Sequence, residues 1–274
     1  MSKTQIKVPQ LHRNTCEVRI VPKLDHYVIE VVYEQEETQH ELNPKWSAAI
    51  DIGIDNLAAL TSNKPGFIPV IVNGRPLKSI NQYYNKQKAH LQSLLKESCT
   101  SKRIQRLSTQ RNFKIDDYLH KASRLVIDLI LPHQISTLII GKNPLWKESI
   151  NIGKVNNQKF VSIPHAKWVE QLISQAALVG ITVVVTEESY TSKSDFLMLD
   201  TIPVYGTQAA KKAKLSGKRS QTKLYVSGTG QALNADVNGS YNIMRQVIPT
   251  AFSLGIEGVV VRQLRGNSLQ TKHI

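Results

Sequence analysis

Cysteine is scarce. The chain of 274 residues has two, Cys16 and Cys99, far apart and in no CxxC spacing. That pattern indicates neither a disulfide framework nor a cysteine-built zinc ribbon, and it fits a reducing, intracellular compartment. Long apolar runs are missing too, each being cut by a charge or a glycine. A bilayer-spanning helix needs about 20 consecutive apolar residues, so no membrane segment is expected. The opening MSKTQIKVPQ lacks the apolar core of a secretory signal. No internal repeat is visible. Acidic residues are in deficit, 21 Asp plus Glu against 35 Lys plus Arg, for a formal net charge of +14 and a sequence pI near 9.7.

What is present is clustered. No acidic residue falls between Asp200 and Asp236, yet Lys211, Lys212, Lys214, Lys218, Arg219 and Lys223 do. A second basic stretch holds Lys86, Lys88, Lys96, Lys102, Arg103, Arg106, Arg111 and Lys114. Clusters of this kind attract polyanions, because neutralising phosphates releases condensed counterions. A solvated basic surface is the bland alternative. A membrane surface is the weaker one, since no amphipathic helix with a bulky aromatic face accompanies the charge.

The hydrophobic pattern gives an order of elements. Val18 to Val21 and Tyr27 to Tyr33 form a hairpin, and Glu34 to Asn43 is a polar linker. Trp46 to Ile54 is a strand carrying Asp51-Ile52-Gly53-Ile54. Leu57 to Thr61 and Phe67 to Val72 are strands around the turn Asn63-Lys64-Pro65-Gly66. Helical spacing runs from Ser79 to Lys96 and from Phe113 to Leu131. Thr137 to Ile140 is a short strand, Ile163-Pro164-His165 opens a helix to about Leu178, and Ile181 to Val185 is a β-branched run expected to be a buried strand. Tyr205 to Gly230 looks irregular, Asp236 to Val247 is a last amphipathic helix, and Gly255 to Ile274 a weakly structured tail. This order describes an α/β domain of about 210 residues, within the usual domain range, behind a small β appendage.

Two aspartates stand out. Asp51 follows Trp46-Ser47-Ala48-Ala49-Ile50 in an otherwise apolar strand, where a charged carboxylate is costly unless paired or bound to metal. An aspartate on a solvent-facing edge strand is the plain alternative. Asp236 opens the last helix, where an aspartate commonly serves as N-cap. Asn238 and Asn242 share one face of that helix and can orient a carboxylate or hold phosphate. An Asp on an early strand and another at a late helix start suit two corners of a two-metal phosphodiesterase site, which holds ions about 4 Å apart. Magnesium favours such hard oxygen ligands, and a third carboxylate is needed. Asp55 fits an outer carboxylate or, better, a turn. His120 and Lys121, and Trp146 and Lys147, are minor candidates for substrate contact.

The segments AAIDIGIDNLAAL, HKASR, IGKNPLWKESINIGKVNNQKFVSIPH, VTEESYTSK and LNADVNGSYNIMR resemble the TnpB (OrfB) family of transposon-encoded, RNA-guided DNA endonucleases, relatives of type V CRISPR effectors. The resemblance spans about residues 8 to 262. It implies an RNase H-like (RuvC-type) mixed sheet with flanking helices, preceded by a small partial β domain. The implied boundaries are 1–44 for a wedge-like β remnant, 45–254 for the nuclease domain and 255–274 for a tail. Residues 191–233 would be a basic insert in place of the zinc ribbon. Asp51 matches the first catalytic Asp and Asp236 the last. Guide RNA and DNA are the implied partners, Mg2+ or Mn2+ the implied cofactor, and the cytoplasm, at the nucleoid, the implied location.

Three departures qualify the resemblance. The family's middle-strand Glu falls at Gly141. The cysteine pairs are absent after Tyr190-Thr191-Ser192-Lys193, where Ser194-Asp195-Phe196 stands instead, so no zinc is expected. Only 50 residues precede Asp51. A relocated Glu, as relatives such as the Fanzor proteins look to use, is expected at Glu188, with Glu187 as the alternative; strand alternation puts one of them inward. By the same resemblance Lys211, Lys212, Lys214, Lys218, Arg219 and Lys223 are expected on nucleic-acid phosphates. The competing readings are a shortened relative that binds RNA or DNA without cutting and, more remotely, a guide-independent nuclease.

Overall fold

The computed structural model describes residues 15–23, 25–95, 99–142, 163–220, 223–253, 255–256, 259 and 264–266. Strands β1 (Thr15–Pro22) and β2 (Tyr27–Tyr33) pair antiparallel as a separate two-stranded sheet. Its turn rests on the main body: Thr109 Oγ1 donates to Asp25 Oδ1 at 2.9 Å, and the His26 ring meets Phe113 edge-on. Then come β3 (Asn43–Ile52), β4 (Asn56–Ser62), β5 (Val70–Asn73), α1 (Arg75–Ser93), α2 (Lys102–Ile130), β6 (Ile135–Gly141), α3 (His165–Ala177) and β7 (Thr182–Thr186). The last part holds α4 (Gln208–Lys212), the short strands β8 (Lys218–Ser220), β9 (Leu224–Val226) and β10 (Ala232–Asn234), α5 (Ala235–Val247) and β11 (Leu264–Gly266).

The main sheet has the order β11-β5-β4-β3-β6-β7. β3, β4 and β5 form an antiparallel meander, while β6 and β7 lie parallel to β3 on its other side. Period-two alternation sorts the side chains. Ala48, Ile50, Leu60, Leu138 and Ile140 join one core with α2 and α3 residues such as Leu119, Val126 and Trp168. Ala49, Ala59, Ile71 and Ile139 join the other, with Val237, Tyr241 and Met244 of α5. This is the mixed α/β sheet with flanking helices that the sequence implies. No helix among the described residues is long and apolar enough to cross a membrane.

Four sequence expectations need correction. The second helix begins at Lys102, not Phe113: Ser101 caps it, accepting from Ile104 N at 3.3 Å, and its first turns are mostly polar, with buried Ile104 and half-buried Leu107 as the two apolar residues before Phe113. The β-branched run is an edge strand, half exposed. Part of the tail, β11, pairs with β5. Tyr205–Gly230, expected to be irregular, contains the strands Lys218–Ser220 and Leu224–Val226, which with Ala232–Asn234 make a three-stranded antiparallel sheet. Trp146 and Lys147 lie outside the described residues.

That small sheet has a carboxylate hub. Buried Asp195 accepts from Leu197 N at 3.0 Å, from Ser227 Oγ at 2.7 Å and from Gly228 N at 2.8 Å. Asp200 accepts from Asp195 N, Ser216 N and Ser216 Oγ at 2.6–3.0 Å. Each buried donor stranded by loss of such an acceptor costs about 1–3 kcal/mol. Asp195→Ala is expected to destabilise the protein by about 2–4 kcal/mol. Hydrogen exchange is expected to quicken over 218–234 while β3 and β6 stay protected.

Candidate active site

The parity that sends Ala49 and Ile139 toward α5 sends Asp51 and Gly141 there as well. The register sets them side by side: Ile50 pairs with Ile140, Ile140 with Val185, and Gly141 with Thr186. Two residues beyond Thr186, on the same face by alternation, comes Glu188. Its carboxylate borders the space that a side chain at 141 would take, a space that the Ile243 side chain occupies. A Cβ on Gly141 would lie 3.0 Å from Glu188 Oε2 and would overlap Ile243 Cδ1. Glu187 is exposed and accepts a hydrogen bond from Ser189 Oγ at 2.5 Å.

Helix α5 supplies the third carboxylate. Its N-cap is Asn234, whose Oδ1 accepts from Asp236 N at 2.9 Å and Val237 N at 3.3 Å. Asp236 is therefore not needed as a cap. Instead its Oδ2 accepts from Asn56 Nδ2 at 2.7 Å and its Oδ1 lies 3.6 Å from Arg219 Nη2. One turn on, Gly239 passes directly over Asp51, and a Cβ there would overlap Asp51 Oδ2. Ser240 anchors the approach, its Oγ donating to Ala49 O at 2.9 Å and sharing a hydrogen bond with Thr61 Oγ1 at 2.8 Å.

The electrostatics follow from this crowding. Asp51 keeps some solvent contact, yet protein surrounds its carboxyl closely. Loss of hydration first, then the charges of Glu188 and Asp236, push its pKa well above the ordinary value, with Arg219 opposing. Such mutual repulsion marks acidic groups held close together, a charge that a bound cation would relieve. Among the described residues, no three His, Cys, Asp or Glu side chains close to a ready-made metal group. The donor chemistry nonetheless fits Mg2+ or Mn2+: the oxygens are hard, and the missing Cβ at Gly239 lets α5, which carries Asp236, settle directly against the Asp51 carboxylate.

Other expected residues lie elsewhere or do other work. Asn238 and Asn242 touch neither carboxylate nor an open surface. Both are fully buried and clamp the turn after β7: Asn238 donates to Ser194 O and accepts from Phe196 N, while Asn242 donates to Thr191 O and Ser194 O, all at 2.7–3.0 Å. Asp55 is tied to Lys78 and, at 3.2 Å, to Lys223. The Lys78 contact, against burial and aided by Lys223, holds its carboxyl below the ordinary range. Arg219 and Lys223 thus reach the carboxylate end of the sheet, while Lys211, Lys212, Lys214 and Lys218 are exposed. His120 and Lys121 are exposed on α2, with Lys121 paired to Asp117 at 2.8 Å. Sequence reasoning missed Asn56 and Gly239. A glycine inside a helix costs about 1 kcal/mol relative to Ala, and that cost was the available signal for Gly239.

Residues 30–146 match an OrfB-type family model described as "Probable transposase". Comparison with curated proteins returns no match. Among solved structures, the chain is similar to the protein of a CRISPR-Cas12f ternary complex, with a TM-score of 0.56 and 15% identity over 82% of this chain and 44% of that one. It is also similar to the protein of a Cas12f1-sgRNA-target DNA complex, with a TM-score of 0.52 and 14% identity over 78% of this chain and 52% of that one. At these identities the likeness is one of fold, and the chain spans about half the length of those proteins.

The raised Asp51 pKa has a signed consequence. Between the unfolded value of 3.8 and the higher folded value, the folded state holds the extra proton, so stability falls as pH rises through that window. In chelator at pH 7, Asp51→Asn is expected to melt higher than wild type, by about 2–4 °C for each kcal/mol gained. The difference should narrow as pH falls toward 4. A variant that melts lower at pH 7 would contradict the electrostatic picture.

Proposed function

We propose that this chain, OrfB-type over residues 30–146, is a divalent-metal DNA endonuclease guided by RNA, with Asp51, Glu188 and Asp236 as its catalytic carboxylates. The observation that carries the reading is the position of Glu188. Its carboxylate lies at the edge of the side-chain space of Gly141, which Ile243 of α5 fills, and close enough to Asp51 to raise that group's pKa. The charge missing from the middle strand is thereby restored from the neighbouring one.

Asp51, Glu188 and Asp236 would hold Mg2+ or Mn2+. Ions bound there would acidify water and offset the charge that develops as water oxygen bonds to phosphorus and one P–O ester bond breaks. The chain's own residues supply the positioning. Asn56 orients the Asp236 carboxylate, and Asn234 holds the first turn of α5. Thr191 Oγ1 donates to Glu188 O at 2.8 Å and fixes the backbone from which Glu188 projects. Arg219 and Lys223 bring positive charge to the rim, where a phosphodiester would arrive. The net charge of +14 favours nucleic acid as substrate and partner. RNA guidance and DNA as the target rest on the OrfB-type segment and on a fold shared with a protein whose complex contains sgRNA and target DNA. Location at the nucleoid belongs to the same reading.

A second reading, a relative that binds nucleic acid without cutting, is favoured by one contact: Arg219 already lies on Asp236. Cleavage separates the two. With co-expressed RNA and Mg2+, wild type is expected to cut single-stranded DNA. Asp51→Ala, Glu188→Ala and Asp236→Ala should each lose about 10³-fold or more, and Glu187→Ala should lose little. A wild type that binds but never cuts establishes the second reading. Full activity in Glu188→Ala with an inactive Glu187→Ala would overturn the assignment of Glu188.

A further inference from the structure

The second basic region has a site of its own. Residues 75–115 contain ten Lys or Arg and one acidic residue, Glu97. Of these, Arg75–Ser93 form α1 and 102–115 the first half of α2, which pack side by side and leave a cavity of about 270 Å³ between them. Its apolar floor includes Ile80 and Leu107, its walls Tyr83 and Tyr84, and its rim Arg111 and Lys114.

The walls are fixed in place. Tyr84 shares a hydrogen bond with Ser108 Oγ at 3.0 Å, and two cations lie near its ring, Lys88 Nζ at 5.8 Å and Arg111 at 5.7 Å from the centroid. Arg111 is itself held, donating from Nε to Asn81 Oδ1 at 2.8 Å and from Nη1 to Asn112 Oδ1 at 2.9 Å. Tyr83, by contrast, turns its ring outward and is 60% exposed.

We propose that this α1–α2 groove is a second nucleic-acid site, one that takes an unpaired base against Tyr83 and the adjoining phosphates on Arg111 and Lys114. Aromatic faces beside cations are how single strands are held without sequence preference. A duplex keeps its bases stacked inside and offers no free face to the ring, so a single strand is favoured. Charge complementarity sets the sign of the ligand, and the exposed ring sets its aromatic character. The groove also leads toward the carboxylate end of the sheet. Lys78, which pairs with Asp55, lies five residues before Tyr83, about 7.5 Å along the helix axis. The groove is built from residues outside the carboxylate site, so it can be tested whether or not that site cuts.

The test is fluorescence anisotropy on the full chain in chelator, where no metal-dependent cleavage occurs, with labelled 12-nucleotide single strands, the same strands made abasic, and a 12-base-pair duplex. Tyr83→Ala, at an exposed position, is expected to weaken single-strand binding about 5- to 100-fold and abasic or duplex binding much less, while Tyr83→Phe retains it. Lys114→Ala is expected to lower the slope of log affinity against log salt by about one. Equal binding of normal and abasic strands by wild type would overturn the proposal. So would an unchanged affinity in Tyr83→Ala, or competition by polyglutamate as strong as by the single strand, which would make the groove a general anion surface.

Discussion

Repulsion among carboxylates at the end of β3 is the constraint that the neighbouring structure answers. Asp51 is set in an apolar strand, under a helix, with two other acidic groups acting on it. Holding that arrangement requires strong packing elsewhere and an absence of bulk at the site. Ala49 and Ala59 on the sheet and Gly239 and Ser240 on α5 let the helix settle close, with the Ser240 Oγ to Ala49 O hydrogen bond as its anchor. The same closeness leaves no room for a Cβ at 239. Stability is given up locally for charge density, as is expected where a site is built for function.

The second consequence concerns how Glu188 is held. It lies beyond the end of an edge strand, where a long side chain has many rotamers. Its backbone is pinned by Thr191, Thr191 by Asn242, and Asn242 stands on the same helix that carries Asp236. Asn238 adds a second clamp on that turn through Ser194 and Phe196, and Phe196 stacks on Tyr241 at 4.3 Å. One helix therefore positions both late carboxylates, Asp236 directly and Glu188 through the turn that it grips. The hydrogen bonds of Asp195 then join the small β8–β10 sheet to this turn, which puts Arg219 and Lys223 at the rim.

Much of this was legible in the sequence, where local chemistry and fold agree. Asp51 was conspicuous because its strand is otherwise apolar, and alternation could state that only one of Glu187 and Glu188 faces inward. What the sequence could not show depended on contacts distant along the chain. Asn238 and Asn242 read as amides that orient a carboxylate or hold phosphate, but their partners, Thr191, Ser194 and Phe196, lie more than 40 residues away in a turn that no local signal ties to α5. The start of α2 was hard to see because residues 102–112 carry two apolar residues, Ile104 and Leu107, among nine polar ones, and β11 was invisible because three residues add to an existing edge. Asn56 carries no chemistry that singles it out, and the cost of Gly239 in a helix does not say what it makes room for; both roles appear only once α5 is laid across β3.

The central claim is that Glu188, not Glu187, completes a cation site with Asp51 and Asp236. Crystals of wild type and Glu188→Gln soaked in Mn2+, with data collected at the manganese absorption edge, test it most directly. Anomalous density bounded by Asp51, Glu188 and Asp236 is expected in wild type, weakened or lost in Glu188→Gln. Manganese density of equal strength in both crystals, or density on Glu187 with Glu188 turned away, would contradict it.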